Sequence, residues 1–525
     1  MGVLSTLLVP MGPCYEELMK LGGPALCAIG FVAFVVLSVV INVLQQLLFK
    51  DPTKPPVVFH YFPFFGSTVV YGMDPYKFFS DCQEKYGEVF TFVMLGRKMT
   101  AALGPKGNDF VFNGKLSEVS AEDAYAHLTV PVFGEGVVYD VPNHVLMEQK
   151  KFMKFGLTTE NFRSYVPLIV GQVEDYIKKS KFFKGAKGSV PLSEIIPELT
   201  IFTAARTLQG KEIRDALDGS FAKLYHHLDS GFTPMNFLFP WFPFPQNRRR
   251  DHAQRTMAQF YMEKINKRRA NEKDDDGQER SDMMWNLMNR SYKDGRKVPD
   301  KEVAHMMIAL LMAGQHTSMA TITWMLLHVA AQPKLVARIL EEQKRVFGDE
   351  LAPLSYEKLV LECTFLGHII RETLRMHPPL HSILRKVKSP MHVNETNWVI
   401  PKGHYLLAAP GVSSMDQKYF KEPNSFDPNR WEGRKAEEET EKFDFGFGLI
   451  SKGAASPYLP FGAGRHRCIG EQFANVQLMT IMATFVRKFE MQRPGGGNDV
   501  PAPDYSSMIA LPTPPSIIEW VKRDP

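Results

Sequence analysis

Cysteine is scarce in this sequence, and the few cysteines are widely separated. The chain has five in 525 residues, an odd number that includes no Cys-x-x-Cys pair. A disulfide framework and a zinc site of clustered cysteines are therefore excluded, and this usage is typical of a reducing compartment. The cysteines are Cys14, Cys27, Cys82, Cys363 and Cys468.

Patterns that identify several other enzyme classes are also absent. The sequence contains no His-Glu-x-x-His, no Gly-x-x-x-x-Gly-Lys-[Ser/Thr] and no Gly-x-Ser-x-Gly. Zinc peptidase, P-loop and α/β-hydrolase chemistry therefore have no support. The formal net charge of +5 over 525 residues is too small to indicate a nucleic-acid partner.

Charge is missing from one N-terminal run, 21–49, which includes AIGFVAFVVLSVVINVLQQLLF. Because about 20 such residues span a bilayer, we predict a retained transmembrane helix rather than a buried core helix. A cleaved signal peptide is disfavoured, since Glu16 and Glu17 precede the run and no small-residue cleavage site follows it. The predicted organisation is an amphipathic lumenal segment at 1–20, the anchor at 21–49, a proline-rich linker at 50–56 and a catalytic domain at 57–525.

A second uncharged run lies between Glu302 and Lys334, and its length alone is compatible with another membrane span. Its centre is AGQHTS, whose glutamine, histidine and threonine are costly against lipid. We therefore predict a long helix that crosses the protein core. The first run remains the single predicted span, and Lys50 and Lys54 after it favour a cytoplasmic catalytic domain.

Two charged patterns and one cysteine loop follow the core helix. Glu372 and Arg375 in RETLR are spaced i, i+3 and so share one helix face, among apolar neighbours. These neighbours predict that the ion pair is partly buried and therefore needs a third partner. Arg430 in FDPNRW is the candidate. Cys468 lies in FGAGRHRCIG, at 461–470, ahead of a helical pattern that begins near Ile469. The composition of this loop leaves a nucleophile, an inert core thiol and an iron ligand as alternatives; no base or orienting partner at a recognisable position supports the nucleophile.

The order and spacing of four motifs resemble those of the haem-thiolate monooxygenases of the cytochrome P-450 family. The motifs are AGQHTS, RETLR, PNRW and FGAGRHRCIG. The resemblance runs from about Pro55 to the C-terminus and implies a mainly α fold with small β-sheets after one N-terminal transmembrane helix. It also implies haem b as cofactor, with Cys468 as axial iron ligand. The microsomal members suggest a single-pass protein of the endoplasmic reticulum membrane.

The same resemblance assigns roles around the haem. Gly462, Gly464 and Gly470 let the backbone approach the porphyrin, His466 reaches a propionate, and Phe461 packs beside the cysteine. Ala313 and Gly314 leave room for dioxygen, while Thr317 hydrogen-bonds it and relays protons. The family usually has an acid before this threonine; here the position is His316, for which we name Asp229 as a partner.

Further stretches resemble the fungal sterol 14α-demethylases of this family: GQHTS, AYAHLTVPVFGEGVVYDVPN at 124–143, MEQKKF and PPLHSILRKV. The implied reaction is three successive O2- and NADPH-dependent oxidations of the 14α-methyl group of lanosterol or eburicol, which release formate and leave a 14,15 double bond. The implied ligands of the two propionates are Tyr125, Tyr139, Lys150, Arg385 and His466. The implied sterol-cavity residues are Leu128, Thr129, Phe133, Phe232, Leu380, His381, Ser382, Leu384, Met508 and Ile509.

Nothing in the chain resembles a flavin or nicotinamide domain, so the resemblance implies that electrons come from a separate NADPH–cytochrome reductase. Azole-type inhibitors are expected to bind at the haem iron. The alternatives are a membrane haem-thiolate monooxygenase of another lipid or xenobiotic, a peroxide-using isomerase or dehydratase, and a non-catalytic haem sensor. Thr317 disfavours the isomerase or dehydratase, because such enzymes tend to lose the oxygen-activating threonine.

Overall fold

The computed structural model describes residues 23–217, 219–271, 282–433 and 452–523. The predicted lumenal segment at 1–20 lies outside these residues. So do most of the charged loop that follows Ala270 and the acidic stretch RKAEEETEK at 434–442.

The described chain is mainly helical, with four small sheets. The helices are α1 Gly23–Leu48, α2 Thr68–Met73, α3 Pro75–Tyr86, α4 Gly104–Phe112, α5 Glu122–Phe133, α6 Asn143–Met153, α7 Thr159–Lys179, α8 Leu192–Ala204, α9 Lys211–Ala216, α10 Gly219–Asp229, α11 Pro234–Leu238, α12 Pro245–Ala270, α13 Met283–Met288, α14 Asp300–Ala331, α15 Pro333–Phe347, α16 Thr364–Met376, α17 Pro410–Ser414 and α18 Glu471–Lys488. The strands are β1 Val89–Met94, β2 Arg97–Ala102, β3 Val119–Ser120, β4 Lys187–Pro191, β5 Ile383–Val387, β6 Met391–His392, β7 Val399–Ile400, β8 Tyr405–Ala408, β9 Phe489–Gln492, β10 Pro503–Asp504, β11 Leu511–Pro512 and β12 Ile517–Lys522.

The first apolar run forms the continuous helix α1, and within the described residues it is the one helix long and apolar enough to cross a membrane. None of its residues is buried in the protein. At 1.5 Å per residue its 26 residues extend about 39 Å, more than the roughly 30 Å hydrocarbon layer of a bilayer. The helix is therefore long enough to span that layer and fits a membrane anchor.

The second uncharged run forms α14, a helix of 32 residues in the largest hydrophobic core. A helix that is apolar on all sides is stable when other elements surround it, and α14 packs against α8, α12, α16 and α18. The prediction of a core helix at this run is therefore confirmed. One face of its central turns is less buried than the rest, and that face belongs to the site described below.

The main sheet has the strand order β1-β2-β8-β5-β3. β1 and β2 form an antiparallel hairpin whose turn contains Leu95 and Gly96, both at positive φ, as the right-handed strand twist favours. β8 is parallel to β2 and antiparallel to β5, with Ile383 opposite Ala408. This pairing sets β5 beside α5, the two elements that carry Arg385 and Tyr125.

A buried ion cluster joins α16 to the segment that follows α17. Glu372 and Arg375 side chains are both fully buried, with Arg375 Nη2 2.8 Å from Glu372 Oε1 and Arg375 Nε 2.9 Å from Oε2. Arg430 Nε and the Asp427 N–H donate to Glu372 Oε1 at 2.9 and 3.0 Å, and Trp431 Nε1 donates to Oε2 at 3.0 Å. Five donor contacts thus compensate a carboxylate that has no access to water.

Candidate functional site

Cys468 lies in a tight loop between a short 3-10 turn and α18. Its N–H donates to the Phe461 carbonyl at 2.9 Å, which closes the loop, and α18 begins at Glu471, two residues after the expected start. The thiol is exposed, yet burial raises its pKa, while the Gly470 N–H, Lys150 and Arg467 lower it. The thiol is therefore accessible, although the surrounding protein disfavours its ionisation.

At two positions of the cysteine loop, the backbone conformation of the protein itself favours glycine. Gly462 and Gly464 lie at φ +70° and +64°, a region that residues with a Cβ rarely adopt. A Cβ on Gly464 lies 2.6 Å from the Phe112 carbonyl oxygen, which is backbone and cannot move aside. At Gly470 φ is −89°, and a Cβ lies 3.7 Å from Cys468 Sγ, an ordinary contact.

We expect Gly464→Ala to lower the free energy of unfolding by about 2–4 kcal/mol, because strain and a backbone clash combine. Gly403→Ala is the matched control: Gly403 also has positive φ, at +90°, but a Cβ there meets nothing within 4 Å. Denaturant unfolding of both variants separates the effect of backbone strain from the effect of the clash with Phe112. Equal losses in the two variants would show that the contact with Phe112 contributes nothing.

One face of α14 is accessible in the middle of the core. Ala313 is exposed and Leu310, Gly314 and Thr317 are half-buried, at i, i+3, i+4 and i+7, whereas the rest of this stretch is buried. A Cβ on Gly314 lies 3.7 Å from Phe473 at the start of α18, so this face lies near the cysteine loop. Thr317 Oγ1 donates to the Ala313 carbonyl at 2.8 Å.

His316 points away from that stripe and toward the end of α10. Its Nδ1 lies 3.5 Å from Asp229 Oδ1, and neither ring nitrogen has a hydrogen-bond partner among the described residues. Burial lowers the pKa of His316, and the Asp229 carboxylate raises it in opposition. The structure therefore brings together the two residues that the sequence separates by more than 80 positions.

Tyr125, Tyr139 and His466 form an aromatic row beside the cysteine loop. The two tyrosine rings stack at 5.2 Å, and the Tyr139 and His466 centroids are 6.1 Å apart. Burial, and then Arg385, Lys150 and Arg465, lower the pKa of His466 far below its usual value. Three cations around one buried imidazole indicate a region of concentrated positive charge.

Arg385 is the clearest sign of what this region binds. It is 2% exposed, and its Nη1 donates to the Leu384 carbonyl at 2.8 Å, but Nη2 has no partner in the described part of the chain. Lys150 Nζ donates to the carbonyls of Arg465 and Arg467 at 2.9 and 3.1 Å. A buried, incompletely paired guanidinium is costly unless an anion compensates it, so the region fits a ligand with carboxylates.

The residues expected to line the sterol cavity come from four separate segments. Leu128 and Thr129 are buried in α5, Phe133 packs against Phe232 with ring centroids 5.9 Å apart, and the Leu384 N–H donates to Tyr125 Oη at 2.8 Å. The remaining members are half-buried: Leu380, His381, Ser382, Met508 and Ile509. Ala510, next to Ile509, accepts a hydrogen bond from Trp324 of α14, which holds this segment against the core helix.

Sequence reasoning missed a tyrosine cluster around His381. The ring centroids lie 6.3, 5.8 and 6.1 Å from that of His381 for Tyr71, Tyr76 and Tyr505. The Ser382 hydroxyl is hydrogen-bonded to His381 and to Tyr71. Burial lowers the pKa of His381 to about 4, so it is neutral at pH 7. No local pattern signals this cluster, because its members lie in three distant segments.

A mainly helical fold in which a cysteine loop lies near an accessible small-residue stripe of a core helix, with several cations around a buried histidine, is typical of a haem-thiolate protein. The cytochrome P450 family model matches residues 55–520, and the chain belongs to that family. A cyanobacterial structure described as retinoic acid bound CYP120A1 has the same fold, with a TM-score of 0.73, 17% identity and coverage of 90% of this chain and 100% of that one.

Within the family the chain belongs with the sterol 14-alpha demethylases. It is 53% identical over 533 aligned positions to sterol 14-alpha demethylase CYP51A of Gibberella zeae, covering 100% of both chains. It is 53% identical to an eburicol 14-alpha-demethylase of Uncinula necator, covering 94% of both, and 52% identical to lanosterol 14-alpha demethylase erg11 of Schizosaccharomyces pombe, covering 92% of this chain and 96% of that one. The predicted family, fold class and enzyme class are confirmed.

The family implies haem, and the residues present fit it. The exposed Cys468 thiol could ligate the haem iron, and Arg385 Nη2, which has no partner in the described part of the chain, could donate to a propionate. The roles predicted for the individual site residues remain predictions.

Proposed function

We propose that this chain is a sterol 14α-demethylase that oxidises the 14α-methyl group three times. The observation that carries the proposal is identity of 50% or more across nearly the whole chain to relatives named for this reaction. The first oxidation converts C–H to an alcohol and the second yields an aldehyde. The third releases the carbon as formate and leaves the 14,15 double bond; each consumes one O2 and two electrons.

Haem, when bound, supplies the iron that activates dioxygen, with thiolate donation favouring O–O cleavage. The chain contributes the thiolate from Cys468, which the Gly470 N–H stabilises. Tyr125, Tyr139, Lys150, Arg385 and His466 would hold the two propionates. The accessible stripe at Ala313 and Gly314 would leave space for dioxygen, and the Thr317 hydroxyl lies at the edge of that stripe.

Protons reach this stripe from the α10 side in the proposed mechanism. Asp229 lies at the half-buried end of α10, and His316 is on the turn of α14 that also carries Thr317. Burial lowers the pKa of this imidazole, and the Asp229 carboxylate opposes that shift and so favours the protonated ring that a proton relay requires. We assign His316 and Asp229 to proton delivery and Thr317 to its final step.

The proposal has three further parts. Electrons come from NADPH through a separate membrane reductase, as the match of residues 55–520 to the cytochrome P450 family model supports. The protein is a single-pass protein of the endoplasmic reticulum membrane with its catalytic domain in the cytoplasm, which α1 and the following lysines support. Azole-type inhibitors bind at the haem iron.

Reconstitution with a NADPH–cytochrome reductase and lanosterol or eburicol tests the substrate and the electron source. We expect the 14-demethylated sterol and formate in equal amounts, with three O2 consumed per sterol. Oxygen consumption without either product would contradict the sterol assignment and favour another lipid or xenobiotic substrate.

Asp229→Asn is expected to reduce the formate formed per O2 consumed by about tenfold and to shift its pH dependence. Removing the carboxylate takes away the charge that raises the pKa of His316 against burial. Proton delivery needs the protonated imidazole. As pH rises, the formate formed per O2 consumed is therefore expected to fall at a lower pH in this variant than in the unsubstituted enzyme. Asp215→Asn, at an exposed carboxylate on α9, is the control; an unshifted profile in Asp229→Asn removes Asp229 from proton delivery.

Thr317→Ala is expected to lower product formed per O2 consumed by about tenfold or more, with O2 still reduced to peroxide or water. Thr321→Ala is a matched control, because Thr321 Oγ1 makes the same i−4 backbone hydrogen bond but is buried one turn further along α14. The measurement is formate and peroxide against O2 uptake. Coupling that is unchanged in Thr317→Ala would exclude its hydroxyl from proton delivery.

A further inference from the structure

A series of buried polar side chains connects the core helix α14 to α10. Gln209 Nε2 donates to the Met307 carbonyl of α14 at 2.8 Å, and Gln209 Oε1 accepts from the Tyr261 hydroxyl of α12 at 2.7 Å. The hydroxyls of Tyr261 and Tyr225, which lies on α10, are 3.2 Å apart. All three side chains are buried. We call Gln209, Tyr261 and Tyr225 the amide–tyrosine network.

The direction of each hydrogen bond in this network is fixed. Because the Met307 carbonyl can only accept, the Gln209 nitrogen faces it and the Gln209 oxygen faces Tyr261. The Tyr261 proton is donated to Gln209, so the Tyr225 hydroxyl donates to the Tyr261 oxygen. Burial raises the pKa of both tyrosines, that of Tyr261 to about 12, so both stay protonated at pH 7. A buried polar network whose donors have acceptors holds its elements in one relative position.

The backbone at Gln209 departs from regular α-helix. Ala205–Gln209 is a π-helical turn that continues α8, and Gly210 follows it at φ +91°. Such turns shift side chains out of the α-helical register and are frequent at functional sites. Near the end of α12, the fully buried Arg268 lies 3.0 Å from Glu212, between Nη2 and Oε2. The segment that carries Gln209 is therefore attached to α12 at two places.

Tyr225 lies one turn before Asp229 on the same face of α10, at i, i+4. Asp229 Oδ1 in turn lies 3.5 Å from His316 Nδ1 on α14. α10 packs against α12, and α12 packs against α14. The amide–tyrosine network and the Asp229–His316 contact are therefore two connections between α10 and α14, and the first restricts the distance spanned by the second.

We propose that Gln209, Tyr261 and Tyr225 are positioning residues that hold Asp229 beside His316 during proton delivery. This inference rests on the proton role proposed above for His316 and Asp229. Because attraction between charges falls with distance, a separation of about 5 Å in place of 3.5 Å weakens it by about a third. A less tightly held α10 therefore delivers protons less efficiently, even when every group of the relay is present.

The groups around His316 determine the pH dependence expected when α10 is less tightly held. Burial has the largest effect and lowers the pKa of His316. Among the described residues, the two charged or titratable side chains that act on it lie on α10: Asp229 raises the pKa and His226 lowers it. Tyr225 and Tyr261 are neutral at pH 7 and add no charge. When Asp229 moves away, the pKa of His316 falls further, and the protonated imidazole is lost at a lower pH.

Tyr225→Phe tests the proposal with little disturbance, because it removes the last donor and leaves the hydrogen bond between Gln209 and Tyr261 intact. We expect the pH at which the formate formed per O2 consumed is halved to move down, by about half of the shift in Asp229→Asn. The double variant Tyr225→Phe/Asp229→Asn is expected to shift no further than Asp229→Asn, since the tyrosine acts through the carboxylate.

Tyr165→Phe is the matched control for this experiment. Tyr165 is also buried, and its hydroxyl donates to the Gly156 carbonyl at 2.8 Å on α7, so the same group is removed at another place. Its pH profile is expected to stay unshifted. A shift in Asp229→Asn with none in Tyr225→Phe, or equal shifts in Tyr225→Phe and Tyr165→Phe, would overturn the positioning role and leave the proposed function standing. An unshifted profile in Asp229→Asn would overturn both.

Hydrogen exchange of the full-length holoenzyme in phosphatidylcholine nanodiscs measures the positioning independently of turnover. We expect the backbone amides of 225–229 to exchange about fivefold faster in Tyr225→Phe, as loss of one hydrogen bond allows, and at an unchanged rate in Tyr165→Phe. A carbon monoxide difference spectrum of each sample establishes that the haem domain is folded. Exchange in Tyr225→Phe that matches the unsubstituted protein would contradict the hold of the network on α10.

Discussion

Cys468→Ala is expected to abolish both the carbon monoxide difference spectrum of thiolate-ligated haem and the formation of demethylated sterol. The Cys468 thiol is exposed in the loop that precedes α18, and the alanine methyl offers no ligand to iron. Without thiolate donation O–O cleavage loses its driving electron density. We expect product formation to fall by at least about a thousandfold, equivalent to about 4 kcal/mol of barrier.

The control for this experiment is Cys27→Ala, which removes an exposed thiol from α1 and leaves the cysteine loop intact. The reduced, carbon monoxide-treated control is expected to give the same spectrum as the unsubstituted protein. Far-ultraviolet circular dichroism of Cys468→Ala tests whether its helical fold persists. A thiolate-type spectrum in folded Cys468→Ala would contradict the assignment of the axial ligand.

Glu372→Gln is expected to destabilise the fold by about 3–5 kcal/mol, the usual cost of leaving buried charges without their partner. The glutamine side chain has nearly the same shape, but its amide nitrogen cannot accept the donors that meet Glu372. Arg375, fully buried, and Arg430 then lose the carboxylate that compensates both. Most of the protein is expected to be recovered without haem or aggregated.

Glu357→Gln is the matched control for this prediction. Glu357 pairs with Arg163 across the surface, with about half of each side chain exposed, so the same substitution there is expected to cost less than about 1 kcal/mol. Urea unfolding at 25 °C, followed by tryptophan fluorescence, compares the two variants. If Glu372→Gln lowers the free energy of unfolding no more than Glu357→Gln does, burial of the cluster has no energetic consequence.

Several elements followed from the sequence because they rest on local, repeating chemistry. The absence of charge through 21–49 predicted α1, and the polar centre of the second uncharged run separated a core helix from a membrane span. The family followed from four short motifs whose order and spacing are themselves sequence properties.

Only part of the site could be predicted from the sequence, because its residues come from separate segments that no local pattern connects. Arg385, Tyr125 and His466 lie in a strand, a helix and a loop, and the unpaired guanidinium nitrogen exists only when these elements pack. The glycines of the cysteine loop were expected to make room for porphyrin, whereas Gly464 also has to avoid the Phe112 carbonyl of α4. The tyrosines around His381 were missed altogether.

The amino-acid sequence by itself determined the anchor, the core helix, the iron-ligand candidate and the family, because each depends on composition or on spacing along one segment. Within the described residues, the tertiary structure alone decided that Arg385 Nη2 has no hydrogen-bond partner and that Asp229 lies 3.5 Å from His316. The physical reason is that burial and pairing are properties of neighbours in space. A chain of 525 residues brings those neighbours together from positions that no local pattern connects.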